Sequence, residues 1–553
     1  MPKTPRQILS DLINHHGTDL CDDAKHFETI LREKCQDQYK REVFMLVNAL
    51  HEKVAFDLLH PPKNTPHTQL LSHLTQRLCE NLGLDKTLAE WTVQSWEKAL
   101  IQTPEAVITK PANANALEIT PEFAKAYELM EQTNQCLFIT GKAGTGKSTL
   151  LAHFKQKSKK KVVVLAPTGV AALNVGGATL HSFFRLPPRP IHLDEVKALR
   201  SKKRLKLYQS IDTIIIDEVS MVRADMMDVI DRFMRLNGKD ASKPFGGVQM
   251  IFIGDLFQLP PVVSSDEEAK LFTTTYQSPF FFSAKIFEVL RMELVELTKV
   301  YRQKEQDFLQ MLNSIRNNQA CSSDIQQINQ RYQPQFESEL KEYYITLTTT
   351  NQLASKINTA HLEKLSTPNH QFEGEIKGKF DKGTLPTDLS LSLKEGAQVM
   401  FVKNDSEGRW VNGTLGRIKK IKKDQIQVET PDKISYTVKK AKWEIVTYQF
   451  EEKMQTVTTE VTGSFTQYPL KLAWAMTIHK SQGKQFDKVI VDLGWGTFAH
   501  GQLYVALSRC KTLEGLILKS QVRPKDVIVD NRVIAFCSSQ TESQASEFSD
   551  IPF

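Results

Sequence analysis

The chain has 553 residues, 41% of them hydrophobic and 24% charged, and a formal net charge of +7. A mean hydropathy of −0.34, with no apolar run near the ~20 residues a membrane helix needs, excludes a helical membrane protein and predicts a soluble chain of about three to five domains. Seven cysteines (Cys21, Cys35, Cys79, Cys136, Cys321, Cys510, Cys537) form no C-x-x-C pair, which suggests neither a zinc site nor a disulfide framework and leaves reduced thiols as the expectation. The start, Met1-Pro2-Lys3-Thr4-Pro5, lacks the apolar core of a secretion signal, and Asp11 argues against a transit peptide, so a cytoplasmic location is expected. Basic residues cluster at 155–161, 197–206 and 417–423. Each run alone reads as a solvated face, and three together raise a polyanion as partner.

Residues 5 to about 101 alternate short amphipathic patterns with polar breaks: Ile8-Leu9 with Leu12-Ile13, Phe27 to Leu31, Val43 to Leu58, and Leu70 to Ile101. This predicts an all-α bundle over 1–102 with no catalytic constellation, hence a docking or regulatory module; His15-His16 reads as a helix-end pair. A linker rich in small residues and proline follows over 103–115. Over 116–290 the pattern becomes α/β, with buried-type strands at Val162 to Leu165, Thr213 to Ile216 and Gln249 to Ile253, so a helix-covered parallel sheet is predicted. A second α/β region is expected over 291–404 and 465–535, with strands at Tyr344 to Thr348 and Lys488 to Leu493. Between its halves, 405–464 holds short alternating strands broken by Gly, Asn, Asp and Pro, which predicts a small inserted β-barrel. The Ser/Gln/Glu-rich end, 536–553, is expected to be disordered.

The run Cys136-Leu137-Phe138-Ile139-Thr140 leads into Gly141-Lys142-Ala143-Gly144-Thr145-Gly146-Lys147-Ser148-Thr149, the G-x-x-x-x-G-K-S pattern of a phosphate-binding loop between a strand and a helix. Backbone N–H groups from Gly141, Ala143, Gly144, Thr145 and Gly146 through Thr149 are placed to face the phosphates of ATP at the positive end of the helix. Lys147 adds a point charge, and the Ser148 hydroxyl is a ligand for Mg²⁺. The strand Ile214-Ile215-Ile216 ends in Asp217-Glu218. Asp217 is expected to hold Mg²⁺ through water and Glu218 to orient or deprotonate the attacking water. The third strand ends in Gly254-Asp255-Leu256-Phe257-Gln258-Leu259-Pro260-Pro261, where Gln258 is placed to sense the γ-phosphate by analogy with other nucleotide hydrolases. Arg302 in Val300-Tyr301-Arg302-Gln303 and Arg509 in Tyr504-Val505-Ala506-Leu507-Ser508-Arg509 read as surface residues by composition alone.

Taken in order, Gly141 to Thr149, Ala166 to Ala172, Thr179-Leu180-His181-Ser182, Asp217 to Met221, Gly254 to Pro261, Val300 to Gln303, Ala475 to Gly483 and Tyr504 to Arg509 resemble the motifs of superfamily-1 DNA helicases. Pro244-Phe245-Gly246-Gly247-Val248-Gln249 resembles the segment that marks the PIF helicases, relatives of RecD. The resemblance spans about 116–535. It implies two RecA-like domains that close on ATP and ratchet along single-stranded DNA in the 5′-to-3′ direction, unwinding duplex during replication, repair or recombination. It assigns Lys147, Ser148, Asp217, Glu218, Gln258, Arg302 and Arg509 to ATP hydrolysis, with the two arginines stabilising charge on the transferring phosphoryl. It places Pro167, Thr168, His181, Thr350, Asn351, His479, Lys480 and Ser481 along the DNA path, where hydroxyls, amides and N–H groups grip phosphates without reading sequence. His181 also reads as a satisfied core histidine, and Thr350-Asn351 as a helix cap.

One position departs from the family pattern. Where an adenine-reading glutamine is expected, Ile119-Thr120-Pro121-Glu122-Phe123 brings Phe123, which puts a preference for ATP over GTP in doubt; Gln132 and Gln135 are the nearby substitutes. The insert resembles the accessory barrel of the second domain in this family. Its Arg417, Lys419, Lys420, Lys422 and Lys423 read as a DNA grip or as an exposed face. Phe183-Phe184, Trp410 and Trp474 read as base-stacking residues or as core. The segment Asp550-Ile551-Pro552-Phe553 resembles the acidic-apolar tip with which bacterial single-stranded-DNA-binding protein recruits its partners, which implies a bacterial setting and a protein with a matching pocket. The alternatives to a helicase are a DNA-stimulated translocase without efficient strand separation, and an adaptor in a repair or phage-defence assembly.

Overall fold

The structure, a computed structural model, describes residues 4–16, 24–35, 39–59, 67–101, 119–187, 189–263, 265–301, 305–339, 342–422, 425–452 and 454–549. It divides into two units, 1–118 and 119–553. The expected linker 103–115, Lys423, Arg302 and the tip Asp550 to Phe553 lie outside the described residues.

The first unit is helical. Its described helices are Pro5–His16, Ala24–Cys35, Lys40–His51, Val54–Leu59, His67–Leu82 and Lys86–Ile101. Their apolar stripes meet in one core, in which Leu9, Phe27, Leu31, Leu46, Leu74, Leu78 and Trp96 are all fully buried. Phe27 packs on Trp96 with ring centroids 5.3 Å apart, and the Trp96 indole N–H donates to the Leu46 carbonyl at 3.1 Å, so the one polar atom of the largest core side chain is satisfied.

The second unit holds two parallel sheets. The first takes the order Ala178–Thr179, Val162–Ala166, Thr213–Ile216, Gln249–Ile253, Leu137–Gly141, Glu293–Leu297. Its inner strands are continuous β-branched and aromatic runs, since both faces are covered by helices. The strand Glu293–Leu297 pairs with Leu137–Gly141, so the first α/β domain extends beyond the expected boundary at 290. The second sheet runs Ala475–Thr477, Ile345–Thr348, Val489–Asp492, Leu516–Leu518. This is the parallel α/β architecture that the sequence predicts.

The insert is antiparallel as predicted but larger. A five-stranded sheet joins Ser435–Val438, Gln425–Glu429, Leu415–Lys422, Gln398–Phe401 and Leu470–Leu472, while Glu375–Gly378 pairs with Thr456–Gln467 and Asn369–Glu373 with Ser390–Lys394. The insert therefore spans about 369–472 instead of 405–464, because its outer strand Glu375–Gly378 finds a partner some 90 residues away in sequence. The hairpin of Ala441–Glu451 and Thr456–Gln467 reaches the first sheet: the Tyr448 hydroxyl accepts from the Val164 N–H at 3.1 Å, and Phe450 is buried in the first domain's core. The end of the chain corrects a second expectation. Asn531–Ser549 is a helix where disorder was expected; Val533 is fully buried and Phe536 stacks on Phe282 at 4.3 Å, contacts that a Ser/Gln/Glu composition does not announce.

Candidate active site and nucleic-acid path

The strand Leu137–Gly141 delivers the chain to the glycine loop, and the helix Lys147–Lys157 begins immediately after it. Gly146 has φ +92, a left-handed conformation that glycine adopts without a Cβ penalty and that turns the loop's N–H groups inward. The Lys147 ammonium donates to the carbonyls of Gly141 at 2.6 Å and Lys142 at 3.0 Å. Burial pulls this ammonium's pKa down, while Asp255 and Glu218 oppose that shift.

The strand Thr213–Ile216 carries Asp217 and Glu218 to the same place. Glu218 sits at φ 52, ψ 43, a left-handed conformation that costs a non-glycine residue of order 1–3 kcal/mol and is retained where a side chain must be aimed. Burial first and the charge of Asp217 second push the Glu218 carboxyl up to about 7. Burial raises Asp217 as well, against the Glu218 N–H and Lys147. The expectation that Glu218 deprotonates the attacking water requires its ionised form, and therefore predicts that DNA-stimulated kcat/KM for ATP falls as pH drops through about 7 and reaches a plateau above it. A pH–rate profile checks this, and a kcat/KM that is flat from pH 6 to 8 would remove Glu218 from the role of base.

The third strand, Gln249–Ile253, ends beside these carboxylates. Asp255 is fully buried; its carboxylate accepts from the Gln258 amide at 3.1 Å, the Phe257 N–H at 3.2 Å and the Arg316 guanidinium at 3.2 Å. Burial alone would raise this carboxyl, but Arg316 and then Lys147 outweigh it and hold the group below the usual range. Arg316 comes from the helix Gln306–Arg316 of the second α/β domain and lies 4.0 Å over the Phe257 ring. From the same domain, the Tyr504 hydroxyl accepts from the Ala143 N–H at 3.3 Å, and Arg509, 1% exposed, donates to the carbonyls of Val505 at 3.0 Å and Lys484 at 3.1 Å.

One cavity is lined by Ala143 to Thr149, Asp217, Glu218, Gly254, Gln258, Gly483 and Arg509. Residues 363 positions apart in sequence, Gly146 and Arg509, thus face the same space from the two α/β domains. Of the loop N–H groups expected to face phosphates, Ala143 donates to the Tyr504 hydroxyl and Thr145 to the Lys142 carbonyl here, while a hydroxyl beside a carboxylate, Ser148 with Asp217, is the hard-oxygen donor set that Mg²⁺ takes. Sequence reasoning left Asp255, Arg316 and Tyr504 without roles. Asp255 and Tyr504 stand inside the quoted motifs. Arg316 had one signal, its position at i+8 on the apolar stripe Phe308, Met311, Leu312, Ile315, where an arginine needs a buried partner.

The residues expected along the DNA path are distributed less uniformly. Thr168 and Thr350 are both helix caps, accepting from the N–H groups of Ala171 at 3.2 Å and Leu353 at 3.3 Å. Lys480 donates to the Asn351 side chain at 2.9 Å and both are exposed, so the structure brings these two together. Pro167 is half-buried, as are His181 and His479. Burial lowers the pKa of both histidines, aided at His181 by Arg223. Ser481 departs from expectation: it is fully buried and its hydroxyl donates to the Ile478 carbonyl at 2.7 Å, which removes that side chain from the surface. Phe183, Phe184, Trp410 and Trp474 are core residues, 7%, 1%, 7% and 6% exposed. Arg417 is half-buried over the Tyr343 ring, Lys419 pairs with Glu429, and Lys420 and Lys422 are exposed. Phe123 is buried against His153, while Gln132 and Gln135 are exposed and do not line the cavity.

Residues 119–326 match the PIF1-like helicase family and residues 472–517 the UvrD-like helicase C-terminal domain. The ATP-dependent DNA helicase Pif1 of Bdellovibrio bacteriovorus is 32% identical over 428 residues, covering 76% of this chain and 92% of that protein. The PIF1 helicase of Rattus norvegicus is 34% identical, and this chain spans 61% of its length. Unliganded Pif1 from Bacteroides sp. has a similar structure, with a TM-score of 0.71 at 38% identity over 77% of this chain and 97% of that one; the same protein bound to ssDNA gives 0.57. With the two parallel sheets and the shared cavity already in place, these likenesses settle the lineage: the chain belongs to the PIF1-like helicase family.

Proposed function

We propose that the chain is an ATP-dependent DNA helicase that moves 5′-to-3′ on single-stranded DNA and separates duplex, in replication, repair or recombination. One observation carries the reading: the phosphate loop of one α/β domain and Arg509 of the other line a single cavity, so hydrolysis and the relative position of the two domains are linked. In this reading Ser148 and Asp217 hold Mg²⁺, which neutralises charge on the phosphates when bound. Lys147 exchanges its bonds to the Gly141 and Lys142 carbonyls for phosphate oxygens. Glu218 takes the proton of the attacking water, Gln258, braced by Asp255, reports the γ-phosphate, and Arg509 stabilises charge in the transition state, with Arg302 as its expected companion. Pro167, Thr168, His181, Thr350, Asn351, His479 and Lys480 form the DNA path, and the cytoplasm is the proposed place of work.

A labelled duplex with either a 5′ or a 3′ single-stranded tail, given ATP and Mg²⁺, tests this. Displacement only from the 5′ tail, lost in Lys147→Ala, is the expected result. DNA-stimulated hydrolysis with no displacement from either tail would favour the translocase. The adaptor reading draws on a specific feature: residues 1–118 form their own unit outside the family match. That bundle and the Asp550 to Phe553 segment are the candidate protein-docking elements, tested by deleting each and assaying function in cells beside Lys147→Ala.

A further inference from the structure

Of the six tryptophans, Trp96, Trp410, Trp443 and Trp474 are buried, Trp91 is half-buried, and Trp495 is 101% exposed. Trp495 stands in Gly494-Trp495-Gly496-Thr497-Phe498, the loop after the strand Val489–Asp492. Phe498 in the same loop is 65% exposed. Two large aromatics in water forgo apolar burial, yet the loop that presents them is firmly held. Arg523 donates to the Trp495 carbonyl at 3.0 Å, the Thr497 hydroxyl to the Asp526 carbonyl at 2.7 Å, and the Phe498 N–H to the Gln502 side chain at 3.0 Å. The Asp526 carboxylate in turn accepts from Arg523 Nε and Nη2, both at 3.0 Å. Gly496, at φ +125, leaves no room for a side chain, since a Cβ would lie 2.7 Å from both Arg523 Nη2 and Asp526 Oδ1. A fixed backbone that displays aromatic rings lowers the entropy lost on binding, the property of a contact residue.

The position of the loop identifies what it contacts. The four strands of the second sheet are parallel and adjacent in the order Ala475–Thr477, Ile345–Thr348, Val489–Asp492, Leu516–Leu518. The loops that follow them therefore leave one edge, with neighbouring strand ends about 4.8 Å apart. The first of these loops carries His479 and Lys480, the second Thr350 and Asn351, the third Trp495 and Phe498, and the fourth Arg523 and Lys525. Along this edge, the residues of the DNA-path reading come first, then two exposed rings, then the exposed Lys525 beside Arg523, whose charge is paired with Asp526. A flexible polyanion with unpaired flat bases matches that sequence of groups, because every base has a face to stack and every link a phosphate.

We propose that Trp495 and Phe498 form a base-stacking platform that extends the single-stranded-DNA path beyond Thr350 along the edge of the second sheet, holding unpaired bases without reading their identity. The proposal rests on the DNA-path reading above. Its test uses the full chain titrated with an unlabelled oligo-dT while intrinsic tryptophan fluorescence is recorded, in parallel with the anisotropy of a labelled oligo-dT. The expected result is quenching on binding that disappears in Trp495→Phe, and affinity about 5- to 150-fold weaker for each ring removed, in Trp495→Ala and again in the double variant that adds Phe498→Ala, with DNA-free ATP hydrolysis unchanged. Undiminished quenching in Trp495→Phe, with normal anisotropy, would overturn the platform and leave the DNA path standing. Undiminished affinity in the double variant would overturn it too. No anisotropy change with the unaltered chain would overturn the DNA path and the platform together.

Discussion

Arg509→Ala is expected to lower kcat for ATP hydrolysis by about 10³–10⁵-fold, the effect of an arginine that meets the transferring phosphoryl and equivalent to about 4–7 kcal/mol of transition-state stabilisation. The side chain is 1% exposed, and its donors are spent on the carbonyls of Val505, Lys484 and Ser481 and on the Ser508 hydroxyl. The guanidinium is thus held by its own domain at a cavity whose phosphate loop belongs to the other, and to meet a phosphoryl it exchanges some of these bonds for phosphate oxygens, as Lys147 does. Arg509→Lys keeps the charge and loses the planar fork, so it should recover little of the rate. Steady-state phosphate release, measured beside nucleotide affinity, separates catalysis from folding: nucleotide binding should stay within several-fold while turnover collapses. A loss of turnover below tenfold in both variants would reduce Arg509 to a structural residue.

Asp255→Ala is expected to destabilise the protein by about 3–5 kcal/mol, because it leaves the Arg316 guanidinium buried without its carboxylate. The pair is dry, with side-chain exposures of 7% and 0%, so solvent screening does not soften the loss. Gln258 also loses the acceptor that fixes its amide, and hydrolysis should fall along with stability. Removing both charges, as Asp255→Ala with Arg316→Met, should restore much of the stability but not the activity. Urea unfolding of the two variants beside the unaltered chain checks the order, and an Asp255→Ala variant as stable as the unaltered chain would show that Arg316 finds another partner. The sign with pH follows from the lowered carboxyl. Its contribution is complete above the ordinary carboxylate range and is lost as pH falls through the depressed pKa of the folded state.

Both predictions draw on residues of unequal legibility. Asp217, Glu218 and Gln258 were readable because each follows a buried β-branched strand at a fixed spacing, and the chemistry of such strand ends is local. Asp255 lies three residues before Gln258, but its role depends on Arg316, 61 positions away on a helix whose pattern predicted only packing. Ser481 reads as a surface hydroxyl within Ala475 to Gly483 and is instead turned back onto the Ile478 carbonyl. Trp410 and Trp474 illustrate the same limit, since aromatic residues near loops serve either a base or a core. Trp410 stacks on Phe401 at 4.4 Å and Trp474 on His361 at 5.4 Å, whereas Trp495, which stood outside every quoted motif, faces solvent.

The sequence by itself determined the phosphate loop, the carboxylate pair after the second motif strand, the two α/β regions and the antiparallel character of the insert. Each is written in glycine spacing, residue type and hydrophobic period within a few neighbouring residues. Only the tertiary structure decided the extent of the insert, the helix at Asn531–Ser549, the pairing of Asp255 with Arg316 and the meeting of Gly146 with Arg509 in one cavity. Those features depend on which distant surfaces bury one another, and a local pattern that marks a face for burial does not name the partner that will cover it.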